Sequence, residues 1–238
     1  MKRIMKNYKT YLFDADGTLL NYDKAELQAL KETFRLYNLT YNQQIEKAFA
    51  DICSLEWKRF GLSNTTDKEI QSQFHKLYYD YSKSRFCELV KHFNLSVSPT
   101  KFDISYRQYL AQQTDEVSLA RDVCMKLSEF ANLYVVTNGL SSIQKSRLIH
   151  FKPYLKGIIV SEDLNCCKPS KEFFEKAITI ADIEDKSTVL MVGDSLTSDI
   201  LGANRFGIDS CWFNPKRKKN DTQIIPKYEL NSLILLVT

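Results

Sequence analysis

Short apolar runs recur along the chain with amphipathic segments between them, and this alternation restricts the possible folds more than any other feature. The runs occupy residues 9–13, 132–139, 157–162, 187–195 and 208–214. Most of them pass from aliphatic, aromatic or β-branched residues into small or polar ones, as buried parallel strands do where they open into loops. Apolar residues at helical spacing follow over residues 118–130, 170–181 and 197–207. The pattern predicts an α/β fold with a doubly wound, Rossmann-like, mainly parallel sheet and helices on both faces.

The stretch between the first two apolar runs has a different texture. Residues 22–113 are rich in Lys, Glu, Gln, Tyr and Phe and contain few strand-like runs. Their apolar periodicity predicts four helices, near residues 24–37, 42–60, 66–92 and 99–112. Because such a block is too long for a loop, it predicts an all-helical domain inserted after the first strand. The α/β core domain would then consist of residues 1–21 and 114–238.

Composition and charge argue against two classes of partner. The 238 residues are 44% hydrophobic, which suffices for a substantial core. The net charge of +4 is too small to indicate nucleic-acid binding, and we interpret the basic run of residues 216–219, KRKK, as a solvated loop. No segment reaches the ~18 consecutive apolar residues of a membrane span. We therefore expect neither a nucleic acid nor a membrane as partner.

The N-terminus and the cysteines predict a cytoplasmic location. Residues 1–13 carry charges but lack the apolar segment that a signal peptide needs. The six cysteines form no C-x-x-C motif, which favours reduced thiols over a disulfide framework. For the adjacent Cys166 and Cys167 we expect a structural role, or none, rather than redox function.

Two aspartates, Asp14 and Asp16, follow the first apolar run in the sequence DADGT. Two carboxylates so close repel each other and resist burial unless a cation or a proton compensates them. A calcium loop of the EF-hand type would need an acidic or amide residue at its fifth position and a glutamate at its twelfth. Counted from Asp14, those positions hold Thr18 and Ala25. A different cation chemistry is therefore indicated.

Polar residues also follow the other predicted strands and meet the aspartates at one edge of the sheet, where α/β proteins bind ligands. They are Thr137, Asn138, Gly139, Lys168, Asp194 and Asp199. Carboxylates can hold Mg²⁺, and a lysine and a hydroxyl can neutralise phosphoryl oxygens, so the set suits phosphoryl transfer. Taken singly, each residue has an ordinary explanation as a turn former, a solvated lysine or a helix-terminal carboxylate. Their ordered occurrence favours the functional interpretation.

Four motifs in order resemble those of the haloacid dehalogenase-like (HAD) superfamily of phosphohydrolases. They read DADGT, VVTNG, KPS and GDSLTSD, and they lie in both predicted parts of the core. The resemblance implies that Asp14 is the nucleophile and that Asp16 is the general acid and base. It further implies that Thr137 and the Asn138 backbone hold phosphoryl oxygens, while Lys168 screens charge and orients Asp14.

The same resemblance implies a magnesium site and a mobile cap. Mg²⁺ would be ligated by Asp14, the Asp16 carbonyl and Asp194, with Asp199 in a supporting position. The all-helical insert of residues 22–113 resembles the cap that closes over substrate in this family. Dehalogenases need no second acid two residues after the nucleophile, so Asp16 argues for phosphate esters.

The finer resemblance is to a pyrimidine 5′-nucleotidase-like branch, and it is carried by the stretches VVTNGLSSIQKSRL and VSEDLNCCKPSKEFFEKAI. It implies hydrolysis of a small phosphate ester, a nucleoside 5′-monophosphate with a pyrimidine base or deoxyribose. A phosphoglycolate or sugar-phosphate phosphatase has a similar core, and a phosphomutase shares all four motifs. A non-catalytic binding protein on the same scaffold is a further alternative, although no motif residue is missing. The sequence does not specify the oligomeric state.

Overall fold

The computed structural model describes residues 8–238, so most of the N-terminal segment assessed for export lies outside the described residues. Contacts between Cα atoms divide the chain into two compact units. One unit contains the described residues up to Tyr22 together with Thr114–Thr238, and the other is Asp23–Gln113.

The first unit is built on a six-stranded sheet in which all neighbouring strands are parallel. Its strands are β1 (Thr10–Phe13), β2 (Asn132–Thr137), β3 (Gly157–Val160), β4 (Val189–Gly193), β5 (Asp209–Phe213) and β6 (Tyr228–Leu230). The spatial order is β3-β2-β1-β4-β5-β6, which places β1 between β2 and β4. The predicted mainly parallel α/β fold is confirmed.

The helices of this unit cover both faces of the sheet. They are α5 (Ala120–Ser128), α6 (Ser141–Arg147), α7 (Ser161–Leu164), α8 (Lys171–Ile180) and α9 (Leu201–Phe206). On β1, Tyr11 and Phe13 pack in one core cluster with α5, whereas Leu12 packs in a second cluster with α8 and α9. Because both faces are covered, β1 is a continuous apolar run in the sequence rather than an alternating one.

Several features of the sheet unit differ from the sequence prediction, among them the short helices α6 and α7, which were not predicted. The helix expected over residues 197–207 begins as a π-helical turn, Leu196–Ile200, and becomes α-helical only from Leu201. Within that turn Asp199 is buried and accepts a hydrogen bond from the Ser195 N–H, which draws the chain inward. Strand β6 was not predicted because its three residues are too few to show a period-two pattern.

The second unit contains four helices, α1 (Tyr22–Leu36, which starts at the junction), α2 (Gln43–Arg59), α3 (Lys68–His92) and α4 (Pro99–Ala111). Each lies within two residues of its predicted bounds. Asn42, Asp67 and Ser98 cap the last three by accepting hydrogen bonds from first-turn N–H groups. Its core is aromatic, with Phe34, Phe49, Phe86, Phe102 and Tyr106 all buried. No helix in residues 8–238 has the length and apolar character to cross a membrane.

The adjacent cysteines and the basic run occupy contrasting environments. Cys166 and Cys167 are free and buried, and burial raises the pKa of the Cys167 thiol to about 12. A thiol with so little thiolate is a poor nucleophile, which favours a packing role. Residues 216–219 are exposed, and Asn214 ties the run to the end of β5 through two hydrogen bonds with the Lys218 backbone.

Candidate active site

Asp14 comes directly after β1, at the carboxyl edge of the sheet. Its N–H donates to the Val192 carbonyl of β4 over 2.9 Å, so the backbone continues the sheet by one residue. The carboxylate is buried, and its Oδ1 accepts a 2.6 Å hydrogen bond from Lys168 Nζ. Burial raises the pKa of Asp14 well above its ordinary value, although the Lys168 charge opposes that rise. Asp14 is therefore a carboxylate that depends on nearby positive charge.

Lys168 supplies that charge from a fully buried ammonium. Its Nζ donates to Asp14 Oδ1, to Asp199 Oδ1 over 2.7 Å and to the Val136 carbonyl over 2.8 Å. Burial by itself would lower the pKa of Lys168, but the two carboxylates raise it above its ordinary value. The three protons of the ammonium thus have three acceptors, and the side chain is held rigidly between two carboxylates.

Asn138 holds the backbone of Lys168 in place. Its Nδ2 donates to the Lys168 carbonyl over 2.9 Å, and its Oδ1 accepts from the Lys168 N–H over 2.8 Å. The paired bonds join the loop after β2 to the loop before α8, thirty residues along the chain. The sequence analysis assigned Asn138 only a backbone role, so this use of its side chain is a finding of the structure.

Asp194 and Asp199 bring two more carboxylates to the same edge. Oxygens of Asp14, Asp194 and Asp199 all lie within 4.8 Å of one another. Asp199 is buried, and its two oxygens accept from Lys168 and from the Ser195 N–H. Gly17 has φ +82°, and a Cβ there would lie 2.5 Å from Asp194 Oδ2, so the loop that carries Asp14 packs directly on the Asp194 carboxylate.

Asp16 is held by two side chains of α6 that the sequence analysis did not identify. Its Oδ1 accepts from Arg147 Nη1 at 2.5 Å, and its Oδ2 accepts from Gln144 Nε2 at 2.6 Å. Asp16 itself is half-buried, whereas Gln144 and Arg147 are buried. In the sequence, a glutamine and an arginine three residues apart on a short helix look like solvent-facing residues. The one available signal was that this spacing puts them on the same helix face.

Thr137 ends β2 with its hydroxyl inside this cluster. Its Oγ1 accepts hydrogen bonds from Gln144 Nε2 over 2.9 Å and from the Gly139 N–H over 3.3 Å. The Gln144 amide therefore contacts both Asp16 and Thr137. The structure thus brings together every side chain that the sequence analysis placed in the site, namely Asp14, Asp16, Thr137, Asn138, Lys168, Asp194 and Asp199.

The charges of this cluster suit a divalent cation. The cluster contains two side-chain cations, Lys168 and Arg147, and four carboxylates, those of Asp14, Asp16, Asp194 and Asp199. When all six groups are ionised, two negative charges are left in excess. Desolvation of the carboxyl, reinforced by the negative charge of Asp199, raises the pKa of Asp194 to about 7, although the residue as a whole is exposed. Carboxylate oxygens are hard ligands, so the donor set fits Mg²⁺.

Comparisons with known proteins identify the family to which the chain belongs. The family model described as haloacid dehalogenase-like hydrolase matches residues 8–207. The chain is 33% identical to the HAD-hydrolase YfnB of Bacillus subtilis, over 96% of this chain and 94% of YfnB. It is 35% identical to the pyrimidine 5′-nucleotidase PynA of Streptococcus pneumoniae (94% and 92% covered) and 26% identical to the pyrimidine 5′-nucleotidase YjjG of Escherichia coli (93% and 92%). The crystal structure of magnesium-bound YfnB superposes with a TM-score of 0.85 at 32% identity, covering 98% of each chain.

Proposed function

Because this chain belongs to the haloacid dehalogenase-like hydrolases and is a phosphohydrolase of that family, we propose that it hydrolyses nucleoside 5′-monophosphates, with a preference for pyrimidine and deoxyribose forms. The observation that carries the proposed chemistry is the buried Asp14 carboxylate, which lies beside Asp194 and accepts a 2.6 Å hydrogen bond from Lys168. Asp16 follows it two residues later. A nucleophile needs a fixed, charge-compensated carboxylate, and a leaving alcohol needs a nearby proton donor.

In the first step a carboxylate oxygen of Asp14 attacks phosphorus. The bond between phosphorus and the ester oxygen breaks, its electron pair stays with that oxygen, and the oxygen takes a proton from Asp16. Lys168, the Thr137 hydroxyl and the backbone at Asn138 stabilise the negative charge on the phosphoryl oxygens. The products are the free nucleoside and an aspartyl-phosphate on Asp14.

In the second step water attacks the same phosphorus atom. Asp16, now ionised, accepts a proton from that water, and the bond between phosphorus and the Asp14 oxygen breaks. Inorganic phosphate leaves and the Asp14 carboxylate is restored. Dividing the reaction in this way replaces one difficult displacement by two easier ones.

The carboxylates of Asp14 and Asp194, with the Asp16 carbonyl, would hold Mg²⁺, and Asp199 would support them. When bound, the ion supplies positive charge to the phosphoryl group and to the carboxylates around it. We further propose that the helical unit, predicted as residues 22–113, acts as the cap. A cytoplasmic location, in keeping with six free cysteines, is also part of the proposal.

The proposed substrate class rests on the two nucleotidases named above and on the motif stretches that resemble their branch. Phosphoglycolate and sugar phosphates remain the alternative substrates, since the same core chemistry serves them. A phosphomutase would transfer the phosphoryl group to a second sugar hydroxyl instead of to water, and a binding protein would not turn over any ester.

The test is phosphate release from a substrate panel with Mg²⁺ or with EDTA. The panel contains dUMP, dTMP, UMP, dAMP, phosphoglycolate and several sugar phosphates. We expect Mg²⁺-dependent release that is fastest with the pyrimidine deoxynucleotides. Asp14→Asn should abolish turnover because an amide cannot form the covalent intermediate, and Asp16→Asn should lower it by roughly 10²–10⁴-fold. The control is Asp221→Asn, which changes an exposed carboxylate paired with Lys219.

Each outcome assigns the function differently. A preference for phosphoglycolate or a sugar phosphate would retain the mechanism and contradict the nucleotide preference. Phosphate release by Asp14→Asn at the wild-type rate would contradict the mechanism. A wild-type protein that is inactive on the whole panel would contradict the proposed function.

A further inference from the structure

We infer that Gln144 and Arg147 are positioning residues that hold the Asp16 carboxylate for proton transfer to the leaving oxygen, and that Gln144 also directs the Thr137 hydroxyl proton toward the phosphoryl group. This inference rests on the proposed function, because it assigns both residues to the same phosphoryl-transfer reaction. It is supported by the hydrogen bonds that α6 side chains donate to Asp16 and Thr137, and by the burial of those α6 side chains.

Both oxygens of Asp16 are fixed by side chains of the same helix, α6. Arg147 donates to Oδ1 and Gln144 donates to Oδ2, so neither rotation about the Cβ–Cγ bond nor movement of the whole side chain is free. The Asp16 side chain is nevertheless 30% exposed, while that of Arg147 is 0% exposed. The carboxylate is therefore held by buried groups, while part of the Asp16 side chain stays accessible to a substrate oxygen.

The Gln144 amide uses both of its N–H donors within the site. Its two Nε2 protons go to Asp16 Oδ2 and Thr137 Oγ1, and its Oε1 accepts from Arg147 Nη1 over 3.4 Å. A residue that served only to anchor α6 could take any backbone acceptor, and an apolar side chain would anchor the helix without desolvating an amide. Here every partner of the amide is either a proposed participant in the reaction or the other positioning residue.

The hydrogen bonds at Thr137 determine the direction of its proton. A hydroxyl has one proton and two lone pairs, and Gln144 Nε2 and the Gly139 N–H donate to the oxygen. With both lone pairs occupied, the hydroxyl can take part in a further hydrogen bond only as a donor. An anionic phosphoryl oxygen is the acceptor that matches it.

Two aryl phosphates of nearly the same shape separate proton donation from the rest of the reaction. p-Nitrophenolate is a stable anion that leaves without a proton, whereas the phenolate of phenyl phosphate gains more from protonation. The parameter to compare is kcat/KM, because it covers the steps up to transfer of the phosphoryl group to Asp14 and not the later hydrolysis. The ratio of the two kcat/KM values does not depend on how much of a preparation is folded.

We expect Arg147→Met to lower kcat/KM for phenyl phosphate by about 10²-fold, the order of loss when a reacting group is misplaced by an ångström, and to change the value for p-nitrophenyl phosphate little. Gln144→Met should produce the same selective loss together with a loss shared by both substrates, because Thr137 also loses a donor. Lys145→Met is the matched control, since it removes a positive charge from an exposed position on the same helix.

A third variant moves Gln144 without removing a buried charge. A Cβ at Gly139 would lie 2.5 Å from Gln144 Nε2 and 2.6 Å from Gln144 Cγ, so Gly139→Ala should displace the whole Gln144 side chain. It should raise the preference for p-nitrophenyl phosphate over phenyl phosphate in the same direction as Gln144→Met.

The outcomes distinguish this inference from the proposed function on which it rests. A selective loss with phenyl phosphate in Arg147→Met and Gln144→Met, absent in Lys145→Met, supports the inference. Equal losses with both substrates, or no loss, would overturn it while the hydrolysis itself remained. If the wild-type protein hydrolysed neither aryl phosphate nor any ester of the panel, the proposed function would fail and this inference with it.

Discussion

At the scale of single residues, the site depends on a buried lysine between two carboxylates. Lys168 contacts Asp14 at 2.6 Å and Asp199 at 2.7 Å, and all three groups are buried. Removing one member of a buried ionic group leaves the others uncompensated, which costs more than the intact group contributes. The lysine is therefore required for folding stability as well as for the proposed chemistry.

Lys168→Met should destabilise the protein by about 3–5 kcal/mol, because Asp14 and Asp199 would face each other without a counter-charge. The free energy of unfolding is measured by urea denaturation in EDTA. The matched control is Lys171→Met, which removes a 72% exposed lysine paired with Glu175 and should cost at most about 1 kcal/mol. Equal stability of Lys168→Met and the wild type would contradict the account of the buried charges.

At the scale of elements, the site is assembled by connections between loops rather than by the strands alone. β2 and β1 are neighbours, but Lys168 comes from the loop before α8 and reaches the site because Asn138 binds its backbone on both sides. The loop carrying Asp14 and Asp16 is held in turn by α6, through Gln144 and Arg147. Side chains thus set the spacing between the loops that the sheet brings close together.

Asn138→Ala should release the Lys168 loop. Two hydrogen bonds worth about 0.5–1.5 kcal/mol each are lost, and kcat/KM should fall for every substrate because Lys168 no longer points at Asp14. Unfolding and steady-state kinetics are measured together. Asn132→Ala, at the exposed start of β2, is the control. Unchanged kinetics in Asn138→Ala would show that the sheet and Lys168 alone position the loop.

At the scale of the whole molecule, the excess negative charge of the site should appear in the pH dependence of stability. Desolvation and the charge of Asp199 raise the pKa of Asp194 to about 7 in the folded protein, against an ordinary value near 4. Between those values the folded state binds a proton that the unfolded state does not bind. The free energy of unfolding contributed by Asp194 therefore falls as the pH rises through this window.

Asp194→Asn should remove that pH dependence, because an amide is neutral at every pH. In EDTA, the Tm of the variant relative to the wild type should increase from about pH 5 to about pH 8. With Mg²⁺ present, the Tm of the wild type should exceed that of the variant, since a cation bound by the wild type stabilises its folded state. Thermal unfolding across the pH series measures both effects.

The control for this prediction is Asp163→Asn. A hydrogen bond from Lys145 lowers the pKa of Asp163, so that carboxylate is ionised throughout the window and its variant should show a constant Tm offset. A Tm difference for Asp194→Asn that does not change with pH would contradict the proposed charge excess.

The amino-acid sequence by itself determined the fold class, and it predicted a helical insert and most of the residues that the structure brings to the carboxyl edge of the sheet. Buried parallel strands need continuous apolar residues, and their carboxyl ends share one edge, so Asp14, Thr137 and Asp194 could be placed together from local patterns alone. Apolar periodicity likewise located the four helices of the insert, because this signal lies within a few residues along the chain.

Only the tertiary structure decided which side chains meet inside the site. Gln144 and Arg147 bind Asp16 from positions 128 and 131 residues away. The residue types around Gln144 and Arg147 are those of an ordinary helix surface, and their burial follows from how α6 packs beside the loop after β1. Local sequence carries no information about such partners, since the contact exists only after the sheet has brought the loops together.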